Sequence, residues 1–132
     1  TGPAHFARAA PESVCYQTND LLTAMVADGP QAPSALRVDG GMVANDWLVR
    51  CLSDITGVPV ERPANIETTA LGAARLAGLA CGVYDSLEAM SSAWELDLRA
   101  EPSLDATARR EQIRNWTAAV DAVGRYALAS KT

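Results

Sequence analysis

An α/β fold, rich in helix with a few short strands, is predicted by three observations on this 132-residue chain. Residues 35–82 read in turn as an apolar strand ending in Asp-Gly-Gly, an amphipathic helix, a second short strand and a helix of small residues. Aromatic residues make up only 5% of the chain while Ala, Leu and Val are abundant, which favours close-packed helices over an all-β sandwich. The segments on either side carry helical spacing of their apolar residues. The length accommodates one domain with a sizeable core and not two.

From about residue 4 to 27 the pattern is helical. Val14, Thr18, Leu21, Leu22, Met25 and Val26 fall on one side, with Arg8, Glu12, Asn19 and Asp20 largely elsewhere. Pro11 leaves two arrangements open: a helix that begins near it, with the proline in its first turn, or a kinked helix. Gly29-Pro30 stops the helix. Leu36-Arg37-Val38 is a short strand signal. After Gly40-Gly41, Val43, Trp47, Leu48, Cys51, Leu52 and Ile55 recur at helix spacing, and Gly57 suits the C-terminal cap. Val58 and Val60 bracket Pro59, so this strand is expected to be brief and at a sheet edge.

Glu67-Thr68-Thr69 supplies an N-cap and an acidic first turn for the next helix, on which Ala70, Ala73, Ala74, Ala77, Gly78 and Cys81 share a face. Such a face predicts close packing on another element, which would offset the cost of Gly72 and Gly78 in a helix. Residues 86–92 suggest a short helix. Trp94, Leu96 and Leu98 alternate with Glu95 and Asp97 as in a half-buried strand. Asp105 can cap a last helix running to about residue 128, with Ile113, Trp116, Val120, Val123 and Ala127 as its apolar stripe.

Asp39-Gly40-Gly41 followed by Asn45 is the main chemical candidate. Two glycines let a phosphate approach the main chain, and Asn45 offers a donor and an acceptor at a helix start. A tight strand-to-helix turn capped by Asn45 accounts for the same residues, and both readings stand. Neither a GxGxxG fingerprint nor a Walker A lysine is present. Asp39 sits at a strand's C-terminal end, where α/β proteins place ligands, and could orient the glycine loop or a solvated metal ion. Surface solvation and capping account for Asp54, Glu61 and Glu67, and a solvated face for Arg109, Arg110, Glu111 and Arg114.

The formal net charge of −5 argues against nucleic-acid binding. No apolar run approaches a membrane span, and no secretory leader precedes the first helix. Cys15, Cys51 and Cys81 are widely spaced. They suggest neither a disulfide framework nor a zinc site, but buried free thiols in a reducing cytoplasm. His5 is the single histidine, which removes most His-based catalytic and metal arrangements.

RVDGGMVAND, GVPVERP and ETTALGAARLAGLACG together closely resemble the C-terminal region of bacterial glycerol kinases, in the FGGY family of carbohydrate kinases. HFARAAPESVCYQTNDLL resembles the helix that precedes the family's nucleotide strand, and the likeness continues through Trp94 and the Trp116 helix. The resemblance implies part of the second domain of an actin/hexokinase/Hsp70-like (ribonuclease H-like) ATPase fold, with ATP in the cleft between two α/β domains. Residues 1–132 would be the C-terminal part of that domain. The adenosine motif would lie at about 35–56, the inter-domain connecting helix at about 67–82, and the C-terminal strand and helix at about 94–128.

By the same resemblance Gly41 and Asn45 would contact the nucleotide, and Gly40 would shape the loop. The catalytic aspartate, the phosphate-gripping turn and the glycerol-binding residues would lie upstream, so no catalytic and no metal-binding residue is expected here. The implied cofactors are ATP/ADP and Mg2+. The implied partners are ATP, glycerol, the missing N-terminal portion of the protein and, when complete, further copies in a homo-oligomer. The expected reaction is transfer of the ATP γ-phosphate to glycerol, giving glycerol 3-phosphate, with the isolated segment inactive. Two rivals are another FGGY sugar or polyol kinase and a standalone, non-catalytic module binding a nucleotide or a partner. The chain departs from the family pattern at Pro11 and at Arg50-Cys51, where a glutamine and an aromatic residue are common.

Overall fold

The computed structural model describes residues 1–29, 31–91 and 94–129. Pro30 and Ser92, expected in a helix stop and at the end of a short helix, lie outside them. In chain order the elements are α1 (Pro3–Asp28), β1 (Leu36–Arg37), a 3-10 turn (Gly41–Ala44), α2 (Asp46–Thr56), β2 (Val60–Pro63), α3 (Thr68–Ala80), α4 (Leu87–Ser91), β3 (Leu96–Ala100) and α5 (Ala106–Ala129).

The three strands form one sheet in the order β1-β2-β3. β1 runs parallel to β2, with Leu36 opposite Val60 and Arg37 opposite Glu61. β3 runs antiparallel to β2, with Val60 opposite Ala100 and Glu61 opposite Arg99. β2 is therefore central, which corrects the edge expectation. Its prolines do not break the ladder because they flank it. Pro59 precedes the strand and contributes only its carbonyl, which accepts from Leu36 N at 2.8 Å. Pro63 ends it, beside a register irregularity at Arg62/Pro63.

α2 is the crossover between the parallel strands, and its buried face makes the core. Leu48, Val49, Leu52 and Ile55 pack with Val43, Val60, Ala100 and Cys15 of α1. Burial of each large aliphatic side chain contributes about 1.5–3 kcal/mol. Val49 lies fully buried although the expected stripe omits it, whereas Trp47 remains 40% exposed. Ser53 is the one buried polar side chain among the described residues; its hydroxyl lies 3.0 Å from the carbonyls of both Val58 and Ala100. A single O–H donates to one of them at a time, and either bond ties α2 to the chain around the sheet.

α1 begins with Pro3 in its first turn and continues through Pro11, so it does not start there. It meets α2 through its middle: Cys15 is buried and Val14, Thr18 and Leu22 are half-buried, but Leu21, Met25 and Val26 are exposed. α5 attaches in the same partial way. Tyr16 and Trp116 stack with ring centroids 5.2 Å apart, and Trp116 Nε1 donates to Asp20 at 2.7 Å. Of the rest of its predicted stripe, Ile113 packs against the core, whereas Val120, Val123 and Ala127 are exposed. β3 starts two residues later than the Trp94–Leu98 alternation suggested, leaving Trp94 outside the ladder, where Arg37 lies over its ring at 4.3 Å. The small-residue face of α3 is likewise uncovered: Ala70, Ala73, Ala74, Ala77 and Cys81 are exposed, while Gly78 meets the ring of Tyr84.

The helix caps follow the local sequence. Gly57 closes α2 in the left-handed region at φ 70°, and a Cβ there would lie 2.8 Å from the Arg109 guanidinium, which leaves the solvated face expected for it. Asp105 Oδ2 accepts from Thr107 N at 2.9 Å and Ala108 N at 3.1 Å. Gly57→Ala is expected to destabilise the fold by about 1–2 kcal/mol, the cost of a side chain at positive φ. Arg109→Ala should not rescue it in urea unfolding. The backbone N–H groups of Ala108 and Thr107 hold the Asp105 carboxyl below its usual value. The cap is thus fully effective above about pH 4, the unfolded-state value, and is lost as pH falls through the lower folded value. Helicity followed by circular dichroism should fall over that acid range, and Asp105→Asn should flatten this component.

Candidate functional site

The loop leaving β1 is positioned by main-chain bonds on both sides. Val38 N donates to Glu61 O at 3.0 Å, which extends the parallel pairing past the end of β1. Gly40 N donates to Ile66 O at 2.9 Å, tying the turn to the approach of α3. Gly40 has φ 87° and ψ 169°, a conformation that only glycine adopts readily. Gly41 then opens the 3-10 turn. A Cβ built on Gly41 would meet nothing within 4 Å, so its bareness serves no packing need of this chain and leaves the main chain open to approach.

Asn45 ends that turn and caps α2. Its Oδ1 accepts from Trp47 N at 3.0 Å, and its carbonyl accepts from Leu48 N at 3.0 Å. The cap occupies the side-chain oxygen, and the amide donors meet no partner among the described residues, so capping does not exclude a ligand contact at this residue. Asn45 also lines a cavity of about 360 Å³ with Ala4, Ala7, Arg8, Pro11 and Trp47, between the beginnings of α1 and α2. The structure thus puts Gly40, Gly41 and Asn45 on one loop and gives Asn45 a cavity.

Asp39 is committed to the fold. Its carboxylate accepts from the Thr68 hydroxyl, joining the glycine loop to the first turn of α3. The expected cap of α3 is different in kind: Glu67 makes no side-chain cap, and Asn65 Oδ1 accepts from Glu67 N at 2.9 Å instead. Asp54 does cap, accepting from Ser103 N at 2.6 Å and Leu104 N at 2.8 Å ahead of α5. Glu61 is not a solvated acid. Its side chain is 13% exposed and stands between Arg37, at 3.3 Å, and Arg99 across the sheet. Among the described residues no three of His, Cys, Asp and Glu converge as a metal site.

The residue that sequence reasoning missed is Arg62. From the central strand its Nη1 donates to Val43 O at 2.7 Å and to Asp46 Oδ1 at 2.8 Å, while its Nε donates to Asp97 Oδ2 at 2.7 Å. The side chain is 12% exposed. The hydrogen bonds it donates to the Asp97 and Asp46 carboxylates raise its pKa further, so the fork carries its charge at every working pH. The only local hint is a charged residue midway along a strand. Its partners lie 16 to 35 residues away in the chain, beyond the reach of periodicity.

The family model for the C-terminal domain of the FGGY family of carbohydrate kinases matches residues 1–81. Over 123 residues the chain is 53% identical to the glycerol kinase of Methylobacterium nodulans, covering 91% of this chain and 24% of that protein. It is 52% identical to the glycerol kinase of Sinorhizobium fredii over 91% of this chain and 24% of that one. The chain thus spans about a quarter of the length of the curated relatives it matches. Among solved structures, Plasmodium falciparum glycerol kinase with ADP superposes with a TM-score of 0.78 at 32% identity, over 92% of this chain and 24% of that one. The xylulose kinase from Rhodospirillum rubrum superposes with a TM-score of 0.71 at 20% identity, over 96% of this chain and 26% of that one, a likeness of fold alone.

Replacing Arg62 by Met keeps the apolar stem and removes the fork. It is expected to cost about 1–3 kcal/mol in urea unfolding and to speed amide exchange at Val43 and Asn45. Arg62→Lys should restore little, because a point charge cannot serve three acceptors in a plane.

Proposed function

The chain belongs to the FGGY family of carbohydrate kinases, whose C-terminal domain it carries, and on that premise we propose that it is the nucleotide-holding C-terminal portion of a glycerol kinase. The single observation that carries the reading is 53% identity to a glycerol kinase over 91% of the chain. In the proposed reaction the γ-phosphoryl group of ATP passes to a terminal hydroxyl of glycerol, giving glycerol 3-phosphate and ADP. The complete enzyme would work in the cytoplasm.

In this reading Gly41 and Asn45 contact the adenosine part of the nucleotide, and Gly40 sets the loop in which they sit. The open face of Gly41 and the uncommitted amide donors of Asn45 support that assignment. Holding the base fixes the far end of the nucleotide, so that its phosphates reach the acceptor with little further loss of freedom. Arg62 contributes by keeping the 3-10 turn in place. Proton abstraction from the glycerol hydroxyl falls to a carboxylate outside this chain. The Mg2+ that accompanies the triphosphate would be held by the phosphates and by donors supplied outside this chain.

α3 is the proposed connecting helix, and its exposed alanine face is where the rest of the kinase would slide during closure. The 132-residue chain alone is expected to be inactive, because the acceptor site and the base are supplied elsewhere.

The test is ATP-dependent phosphorylation of glycerol, against a panel of sugars and polyols, by the full-length protein. Glycerol should be the preferred acceptor. Gly41→Val should raise KM for ATP by roughly tenfold or more while leaving KM for glycerol and the melting temperature nearly unchanged. Preference for a pentulose, or an unchanged KM for ATP in the variant, would refute the substrate or the site respectively.

A further inference from the structure

No residue of α3 is buried in this chain, yet the approach to its first turn is tied twice to the glycine loop. Gly40 N donates to Ile66 O at 2.9 Å, and the Thr68 hydroxyl donates to the Asp39 carboxylate. Asn65 Oδ1 accepts from Glu67 N at 2.9 Å, which shapes the turn that brings Thr68 to this place. Asp39 and Thr68 also line a cavity of about 150 Å³ with Arg37, Val38, Pro63 and Trp94, so the pair meets beside open space. The link is therefore made by hydrogen bonding more than by packing.

We propose that Thr68 is a positioning residue for the nucleotide: through Asp39 it fixes the loop that presents Gly41, and so couples nucleotide binding to the start of α3. The inference rests on the assignment of Gly41 and Asn45 to the nucleotide made above. Between Asp39 and Gly41, Gly40 is held at φ 87° and ψ 169° with its N–H already engaged. The orientation of Asp39 thus sets where the Gly41 main chain is offered. Thr68 acts at one remove, by holding Asp39, and need not touch the nucleotide itself.

A carboxylate accepts but cannot donate, so the Thr68 hydroxyl must supply the proton of this bond. Removing that hydroxyl leaves Asp39 to water, at little cost in stability because the pair is exposed. The loop would then sample more orientations, and the nucleotide would have to select the competent one. The linkage also runs the other way. A bound nucleotide that steadies Asp39 steadies the first turn of α3 as well.

The experiment measures binding of a non-hydrolysable ATP analogue to the full-length protein by calorimetry, with amide exchange followed in parallel. Thr68→Val keeps the shape of the side chain and removes the donor. It should raise Kd for the analogue roughly three- to tenfold, with KM for glycerol and the melting temperature nearly unchanged. Thr68→Ser should restore the affinity. In a double-mutant cycle, Asp39→Ala with Thr68→Val should weaken binding no further than Asp39→Ala alone. The Leu71 N–H closes the first turn of α3 on Glu67 O at 3.1 Å. The analogue should slow its exchange in the wild type and not in Thr68→Val.

Gly41→Val separates this proposal from the assignment beneath it. If Gly41→Val weakens binding and Thr68→Val does not, the role of Thr68 is overturned and the site stands. If the wild type fails to bind the analogue, both fall. Equal weakening by Thr68→Val and Thr68→Ser, or additive losses in the cycle, would also overturn the role of the hydroxyl.

Discussion

Arg62 sits where the glycine loop, the first turn of α2 and β3 come together, and its guanidinium bonds to all three. A loop that leaves a two-residue strand has little pairing of its own to hold it. Two backbone bonds, from Val38 N and Gly40 N, fix its base, and Arg62 fixes its far end through the carbonyl of Val43. The acidic partners share one cation, so loss of the arginine would leave Asp46 and Asp97 without it and Val43 O without that donor. The glycine loop thus depends on a residue that lies on the next strand and points back to it.

The sheet organises charge along its ladder in the same way. Arg37, Glu61 and Arg99 stand opposite one another on three successive strands, and Glu101 adds a bond to Arg99 at 2.6 Å. Directly opposed unlike charges stabilise a ladder modestly, and here they also cover the central strand on that face. Trp94 shields the outer end of the row by lying under Arg37.

What could be read from residue order was whatever local chemistry decides. The cap by Gly57, the cap by Asp105, the capping capacity of Asn45 and the amphipathic α2 all follow from a few neighbouring residues. The place of β2 in the sheet did not, because Pro59 marks a strand boundary as readily as an edge, and only the partner strands tell these apart. Glu61 looked solvated for the same reason: both of its arginines come from other strands. Gly40, Gly41 and Asn45 were legible as a set because seven consecutive residues carry them from strand to cap. Arg62 was not, since its meaning lies in residues distant along the chain. The stripe of α5 was read correctly as apolar but not as uncovered, because periodicity says which side of a helix avoids water and is silent on what stands opposite.

That uncovered length has a consequence of its own. α1 has 26 residues and α5 has 24, while α2, against which both lean, has 11. At about 1.5 Å per residue the outer helices overrun their support by roughly 20 Å. Turns that overhang are held by their own backbone bonds and little else, so they fray at a cost far below that of opening the sheet and α2. The molecule therefore has a graded rather than a uniform resistance to opening. It is stiffest around Val49 and Val60 and loosest near Met25 and Tyr126, where large apolar side chains already stand in water.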